Sequence, residues 1–195
     1  MYIIKKITRA RVQLLLNPSH FLHEVIPFVE SIILQMIPLI DKVIFSLSRK
    51  RLIKFMIKED SLDSILYTAY NYRGFWSYKN IHPWQIPSEI KKLLTIIEKK
   101  IVPLSNILEI GTYNGGGLYL LARYLNTKTI ITIDLLEGYP PEKIKLYQIF
   151  DVNKNIYCLK ANSHDENTLH KVLKILQSQK IDFLFIDGDH SYEGV

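Results

Sequence analysis

This sequence contains very little cysteine: Cys158 is the only one among its 195 residues. A single cysteine cannot form an internal disulfide, so the class of small secreted domains held together by disulfides is excluded. Residues 1–6 are apolar and basic, but they lack the long apolar core and cleavage site of a secretory signal. We therefore expect a cytoplasmic protein in a reducing compartment.

Long uninterrupted apolar runs are missing as well. The most apolar region, residues 25–47, is broken by Glu30, Asp41 and Lys42 and contains two prolines. A membrane-spanning helix needs about 20 consecutive, predominantly apolar residues, which this region does not provide. The sequence therefore predicts no transmembrane segment.

Acidic residues are fewer than basic ones, and the imbalance is local. The chain has 25 Lys and Arg against 19 Asp and Glu, a net charge of +6. Residues 1–60 carry ten basic and five acidic residues, whereas the rest of the chain carries 15 and 14. Because most of the chain has almost no positive excess, we expect no nucleic-acid partner.

The N-terminal part has the apolar periodicity of helices. Spacings of three and four residues place one broad apolar stripe on a helix, which favours packing on a core. Pro38 is expected to kink or divide this helix near residue 37. The stripe consists of Ile26, Val29, Ile33, Met36, Ile40, Val43 and Leu47.

Basic and apolar side chains are interleaved over residues 48–58. Such an amphipathic surface can contact an anionic membrane or an acidic partner. The same pattern fits a solvated helix whose Lys and Arg stems cover apolar neighbours, and this simpler interpretation is favoured. Peripheral membrane contact through residues 1–60 and association into a homo-oligomer stay open as alternatives.

From residue 85 onward, predicted strands alternate with amphipathic helices. Strands in this order imply a parallel sheet with right-handed crossovers and helices on both of its faces. We predict an α/β fold with a doubly wound parallel sheet in residues 85–195, preceded by a helical cap over residues 1–84. The predicted strands cover residues 106–110, 129–134, 155–159 and 181–187.

Helical spacing predicts three apolar helix faces around these strands, and the segment 140–150 has helical potential. The first helix is expected to begin near Pro87, with Glu89 favouring its N-terminus. The faces are Ile90, Leu93, Leu94, Ile97 and Ile101; Leu118, Leu121, Ala122 and Leu125; and Leu169, Val172, Leu173 and Leu176.

A glycine cluster follows the first predicted strand, at positions 111, 115, 116 and 117. Glycines allow a tight turn and let backbone amides approach a ligand at a helix N-terminus. The spacing differs from the dinucleotide fingerprint, because the second glycine comes four residues after Gly111. Glu109 places a negative charge near this loop, which repels phosphate. We therefore expect an uncharged or cationic ligand.

Asp134 ends the second predicted strand, 23 residues beyond Gly111. A carboxylate at this position can accept two hydrogen bonds from the hydroxyls of a ribose. A helix-capping or solvated aspartate is the simpler alternative. Residues 161–165 follow the third strand and are small and polar, so an adenine edge could be recognised there.

The fourth predicted strand ends in two carboxylates and an imidazole, from Asp187, Asp189 and His190. Carboxylate oxygens suit a hard divalent cation, and histidine suits a general base near neutral pH. The alternative is a polar turn whose aspartates cap the next helix, above all for Asp189.

Residues 108–117 and 185–195 together resemble the class I S-adenosylmethionine-dependent methyltransferases. The resemblance is greatest to the branch with cephalosporin-hydroxylase-like and macrolide or rhamnosyl O-methyltransferases. The Glu-x-Gly-x-Tyr-x-Gly motif is also similar to that of the magnesium-dependent catechol O-methyltransferases. The similarity covers about residues 75–195 and includes a Gln-x-x-x-Glu element at 85–89.

The resemblance implies a Rossmann-like fold, S-adenosylmethionine and Mg²⁺ as cofactors, and methyl transfer to a hydroxyl of a small molecule or sugar. It implies that Asp187 binds the metal and that His190 accepts the proton of the metal-bound hydroxyl. Asp187 and His190 are the catalytic residues that the resemblance implies. The implied cofactor-binding residues are Glu109, Gly111, Thr112, Tyr113, Gly115, Gly116, Asp134, Ser163, His164 and Asp187.

The sequence departs from the family at three places. Asn162 stands where an Asp is frequent, and Gly117 replaces a common Ser. The chain also ends at Val195, after four of the family's seven strands, so we expect a truncated product or fragment. The alternative function is therefore a catalytically incomplete fragment or degenerate cofactor-binding module, docked on a membrane by its basic helices.

Overall fold

The computed structural model describes residues 38–75, 78–135 and 143–188. The chain divides into two compact units, Met1–Ile44 and Phe45–Val195. The predictions for residues 26–37, for Asp189 and for His190 lie outside the described residues. The predicted division at residue 84 stays a prediction.

Four strands form one parallel sheet in the second unit, with the order β3-β2-β1-β4. The register pairs Ile110 of β1 with Ile133 of β2 on one side and with Ile186 of β4 on the other. The carboxyl ends of these strands therefore meet at one edge of the sheet, where the strand order reverses. The strands are β1 (Asn106–Ile110), β2 (Thr129–Asp134), β3 (Asn155–Lys160) and β4 (Phe183–Ile186).

The helices described by the structure alternate with these strands after residue 85. Three of them begin at a start signal of the sequence: Ser61 and Ser64 form a capping box, Pro87 opens its helix, and Asp165 accepts from the amide of Asn167 at 2.9 Å. The helices are α1 over residues 38–56, α2 (Leu62–Asn71), α3 (Pro87–Lys100), α4 (Gly116–Tyr124), α5 (Ile144–Tyr147) and α6 (Glu166–Leu176).

The sheet carries helices on both faces. Leu108 packs in a buried cluster with Val172 and Leu176 of α6. The side chain of the next residue, Glu109, points to the opposite face, where it lies against the start of α4 at Gly117. The doubly wound, Rossmann-like α/β prediction is therefore confirmed.

Three details of the predicted elements are wrong. Leu169 and Leu173 are more than half exposed, because the buried face of α6 follows Thr168, Val172 and Leu176 at spacings of four. The stripe formed by Leu169 and Leu173 is rotated about 100° away from it.

The fourth strand begins at Phe183 rather than at residue 181. The Asp182 carboxylate instead accepts hydrogen bonds from the amides of Ser105 and Asn106, at 2.7 and 2.9 Å, before β1. In α1, Leu47 is about half exposed, so the predicted packing of this end of the stripe on a core is wrong.

The segment before residue 85 is joined to the sheet region by a buried ionic contact. Glu59 accepts a 2.7 Å hydrogen bond from Nε of Arg123 and another from the hydroxyl of buried Tyr119, both on α4. Within the residues described, no helix is long and apolar enough to cross a membrane.

Candidate functional site

A cavity of about 570 Å³ lies at the carboxyl ends of the four strands. The ends of all four strands and the segment 82–85 contribute to its walls. This is the place where open parallel sheets bind their ligands. Nine of the ten predicted cofactor-binding residues line it, namely Glu109, Gly111, Thr112, Tyr113, Gly116, Asp134, Ser163, His164 and Asp187. Their roles stay predictions.

Gly111 allows the backbone after β1 to touch the end of β4. Its φ is +97°, and its amide donates to the Ile133 carbonyl at 2.8 Å. A Cβ atom at this position would lie 2.1 Å from the carbonyl oxygen of Asp187. Only glycine combines this conformation with so close an approach.

Gly115 does not line the cavity, although the sequence predicts it as a binding residue. It is the N-cap of α4, with φ +85°, and a Cβ there would meet the Tyr147 ring at 2.3 Å. Its structural role is to turn the loop into the helix while Tyr147 packs against it.

Asp134 is tied to the glycine-rich loop. Its Oδ2 atom accepts a 2.7 Å hydrogen bond from the amide of Tyr113. Tyr113 has a φ of +46°, and its carbonyl accepts from the Tyr147 hydroxyl at 2.9 Å. The ends of β1 and β2 are therefore held in a fixed relation, with the Asp134 carboxylate at the cavity wall.

The Glu109 side chain is buried beneath the loop. Thr132 donates to its Oε2 atom at 2.6 Å, and the Thr132 hydroxyl also shares a hydrogen bond with that of Thr112. Burial raises the pKa of Glu109 to about 8, the Thr132 hydrogen bond opposes this shift, and the charges of Asp134 and Asp187 add to it.

At neutral pH this raised pKa favours the protonated Glu109 carboxyl, in contrast to the negative charge expected from the sequence. The sequence shows that residue 109 is a glutamate, but it does not show that the side chain is buried, and burial controls whether the carboxyl ionises. A cation beside Glu109 would favour the ionised form and lower this pKa.

Ser163 and His164 form the wall after β3. Ser163 is half-buried and His164 is exposed. The amide of His164 donates to Oδ1 of Asn162 at 3.0 Å, so Asn162 shapes this turn. The structure thus brings the small polar residues after β3 to the same cavity as Asp134.

Gln85 is a site residue for which the sequence predicted no role. Its Nε2 atom donates to Oδ2 of Asp187, and its Oε1 atom is buried with no hydrogen-bond partner among the residues described. A buried acceptor without a partner is costly, so this atom is suited to a ligand that donates a hydrogen bond. In the sequence, the Gln-x-x-x-Glu element at 85–89 was the feature that could have indicated a role for Gln85.

Two aromatic rings meet at the cavity. Trp84 and Tyr113 contact edge to face, with ring centroids 5.4 Å apart, and both line the cavity. Trp84 is 77% exposed, although large aromatic side chains are usually buried. The sequence does not predict this pair, because the two rings meet only when the fold brings residues 82–85 close to the glycine loop.

The described residues do not fit a magnesium site. They contain no group of three His, Cys, Asp or Glu side chains that could hold a metal ion. Magnesium requires near-octahedral oxygen coordination, and the carboxylate of Asp187, the predicted ligand, is hydrogen-bonded to Gln85. Burial also raises the pKa of Cys158 to about 12, so its thiol stays protonated.

Two comparisons with known proteins match part of the chain. Residues 108–195 match a family model described as a methyltransferase domain. The chain is also similar to an uncharacterized protein, R132, of Acanthamoeba polyphaga mimivirus, with 37% identity over 91 residues. That alignment covers 45% of this chain and 40% of the viral protein, so the chain spans about two fifths of that relative.

The narrower branch, with its macrolide and rhamnosyl enzymes, stays a prediction. The family match over residues 108–195 and the all-parallel sheet together support a methyltransferase in general.

Proposed function

We propose that the chain is an S-adenosylmethionine-dependent methyltransferase that methylates a hydroxyl oxygen of a small molecule or sugar. The observation that carries the proposal is the convergence of Glu109, Asp134 and the glycine loop on one cavity within the matched methyltransferase region. The branch and the acceptor class come from the sequence resemblance.

The cavity suits S-adenosylmethionine in size and chemistry. Its volume of about 570 Å³ is within the range of small-molecule sites, and Gly111 lets the loop after β1 pack directly on the end of β4 at its wall. The cofactor supplies an electrophilic methyl group on a positively charged sulfur. Glu109 is the buried group whose ionisation such a charge would favour.

The residues of this chain would bind and orient the two ligands. We assign the ribose hydroxyls to the Asp134 carboxylate, which is fixed by the Tyr113 amide. Beside Asp187, the Oε1 atom of Gln85, which has no hydrogen-bond partner among the described residues, is assigned to a donor group of the acceptor next to its reacting hydroxyl. This arrangement would place the nucleophilic oxygen in the cavity, and orientation of this kind lowers the barrier to transfer.

During transfer the acceptor's O–H bond and the methyl–sulfur bond break, and a carbon–oxygen bond forms. The proton must pass to a base of the protein. We assign this role to His190, with Asp187 as the carboxylate at the strand end, following the sequence resemblance. No step is assigned to magnesium.

Calorimetric titration of the full chain with S-adenosylmethionine tests the cofactor assignment. We expect binding by the natural chain and a loss of about tenfold or more for Asp134→Ala, since a charged hydrogen-bond acceptor is removed. Asp63→Ala is the matched control, because Asp63 is an exposed acid on α2. Equal affinity of the Asp134→Ala variant would remove the ribose assignment.

Transfer of a labelled methyl group to a panel of sugar and phenolic hydroxyls tests the reaction itself. Labelled ether product, with S-adenosylhomocysteine as the second product, is the expected result. Cofactor binding without transfer to any acceptor would favour the degenerate cofactor-binding module, and absence of binding would overturn both.

A further inference from the structure

A second cavity, of about 820 Å³, lies in the unit formed by residues 45–195. It is lined by one face of α1, by α2 and by Phe75, and we call it the basic groove. Among the described residues that line it, every charged one is a cation, namely Lys50, Arg51, Lys54 and Lys58.

Three of the four cations, Lys50, Arg51 and Lys54, lie on α1, and Lys58 lies in the turn that follows it. Lys50, Lys54 and Lys58 follow each other at intervals of four residues, and Arg51 is adjacent. Like charges at this spacing repel each other and destabilise a helix. An anionic partner in the basic groove would remove this repulsion.

The two acids nearest in sequence do not line the basic groove themselves. Glu59 accepts hydrogen bonds from Tyr119 and Arg123 of α4. Asp60 accepts from the hydroxyl of Ser64, a residue of the groove wall, at 3.2 Å. Among the described residues, the wall of the groove therefore carries four cations and has one carboxylate, that of Asp60, hydrogen-bonded behind it.

Apolar and aromatic side chains form the rest of the basic groove. Phe55 and Tyr67 are stacked with ring centroids 6.5 Å apart. Tyr67, Phe75 and Leu47 all line this cavity and are between 44% and 62% exposed. An exposed apolar surface bordered by cations is typical of a peripheral membrane contact.

We propose that the basic groove binds the surface of an anionic phospholipid membrane, with its cations on the headgroups and its aromatic side chains at the acyl boundary. The cations on α1 extend over about 6 Å of helix, from Lys50 to Lys54, and Lys58 follows in the next turn, which is the scale of a few headgroups rather than of an extended polyphosphate chain. The remainder of the chain is nearly neutral, which also disfavours nucleic acid.

Co-sedimentation of the full chain with vesicles tests the charge component. We compare phosphatidylcholine vesicles with vesicles that also contain phosphatidylserine. The structure predicts binding to the second kind, weakened about 20-fold when Lys50→Ala and Lys54→Ala are combined, because each basic residue near such a surface contributes roughly fivefold. Lys99→Ala with Lys100→Ala removes the same charge from exposed positions on α3 and should change binding little.

The aromatic component needs a separate variant. Tyr67→Ser keeps every charge, and Tyr67 is exposed, so the fold is expected to tolerate it; circular dichroism checks this. Weaker vesicle binding by folded Tyr67→Ser supports the basic groove as the contact.

Three outcomes overturn the proposal. The first is equal loss of binding in the α3 control, which would mean nonspecific attraction. The second is a thermal shift with inorganic phosphate but no vesicle binding, which would mean a soluble anion site. The third is a dimer in sedimentation velocity that Tyr67→Ser dissociates without any vesicle binding, which would mean a second copy in the basic groove.

Discussion

The hydroxyl of Thr132 donates a 2.6 Å hydrogen bond to the buried carboxyl of Glu109. Burial nevertheless keeps the pKa of this carboxyl at about 8. A cationic ligand binds more tightly when Glu109 is ionised, so binding and deprotonation are coupled. The affinity for S-adenosylmethionine is therefore expected to rise with pH up to about 8, by as much as about tenfold per pH unit, and then to level off.

Calorimetry between pH 6 and pH 9 measures this dependence. S-adenosylhomocysteine is the matched control, since it lacks the sulfonium charge and should show a much flatter profile. The Glu109→Gln variant should also lose the dependence, because its side chain does not ionise. Identical profiles for the two ligands would refute the coupling.

Glu109 also predicts how stability changes with pH. Its folded pKa of about 8 is above its value of 4.5 when solvated, so the folded state binds the proton more tightly. The stabilisation is fully present below about pH 4.5 and is lost as pH rises through about 8. Relative to Glu109→Gln, the natural chain should lose on the order of a few kcal/mol of unfolding free energy over this window.

Urea denaturation of both proteins at several pH values isolates this contribution, because other titrating groups act equally in each. A constant difference between the two proteins from pH 5 to pH 9 would show that Glu109 titrates as a solvated carboxyl.

Gly111→Ala is expected to disrupt the cavity. The added Cβ would lie 2.1 Å from the Asp187 carbonyl oxygen, at a backbone φ of +97°. A clash with backbone combined with left-handed strain predicts a loss of roughly 2–4 kcal/mol in unfolding free energy and loss of cofactor binding. Gly188→Ala is the control, because its nearest contact would be an ordinary 3.4 Å to Ile110. If the two variants lose the same unfolding free energy, the close approach of Gly111 to the Asp187 carbonyl is not what makes Gly111 necessary.

The strands and the position of the cavity could be predicted from the sequence because their signals are local. β-Branched runs such as 129–134 predict buried strands, and parallel strands bring their carboxyl ends together whatever the connecting segments contain. The all-parallel arrangement followed from the alternation of elements, and it placed Asp134 and Gly111 at one edge of the sheet.

The remaining features depend on distant contacts that no local pattern encodes. Gln85 reaches Asp187 across 102 positions in the sequence, and only the fold shows that its Oε1 atom is buried. The ionisation of Glu109 depends on loss of solvent. The exposure of Leu169 and Leu173 depends on which of two adjacent stripes on α6 faces the sheet, and both stripes are apolar enough to be buried.

The contact between Glu59 and Arg123 should be far more important for stability than an exposed ion pair. The Glu59 side chain is 2% exposed and that of Arg123 is 23% exposed, whereas the Lys91–Asp63 pair is 45% and 73% exposed. Removal of one partner from a buried pair leaves an uncompensated charge, so Glu59→Ala is expected to lower the unfolding free energy by about 3 kcal/mol. Asp63→Ala should lower it by less than about 1 kcal/mol, since solvent screens the exposed pair. Urea denaturation of the two variants measures both values, and equal losses would contradict the assignment of Glu59 as the buried link between residues 45–84 and α4.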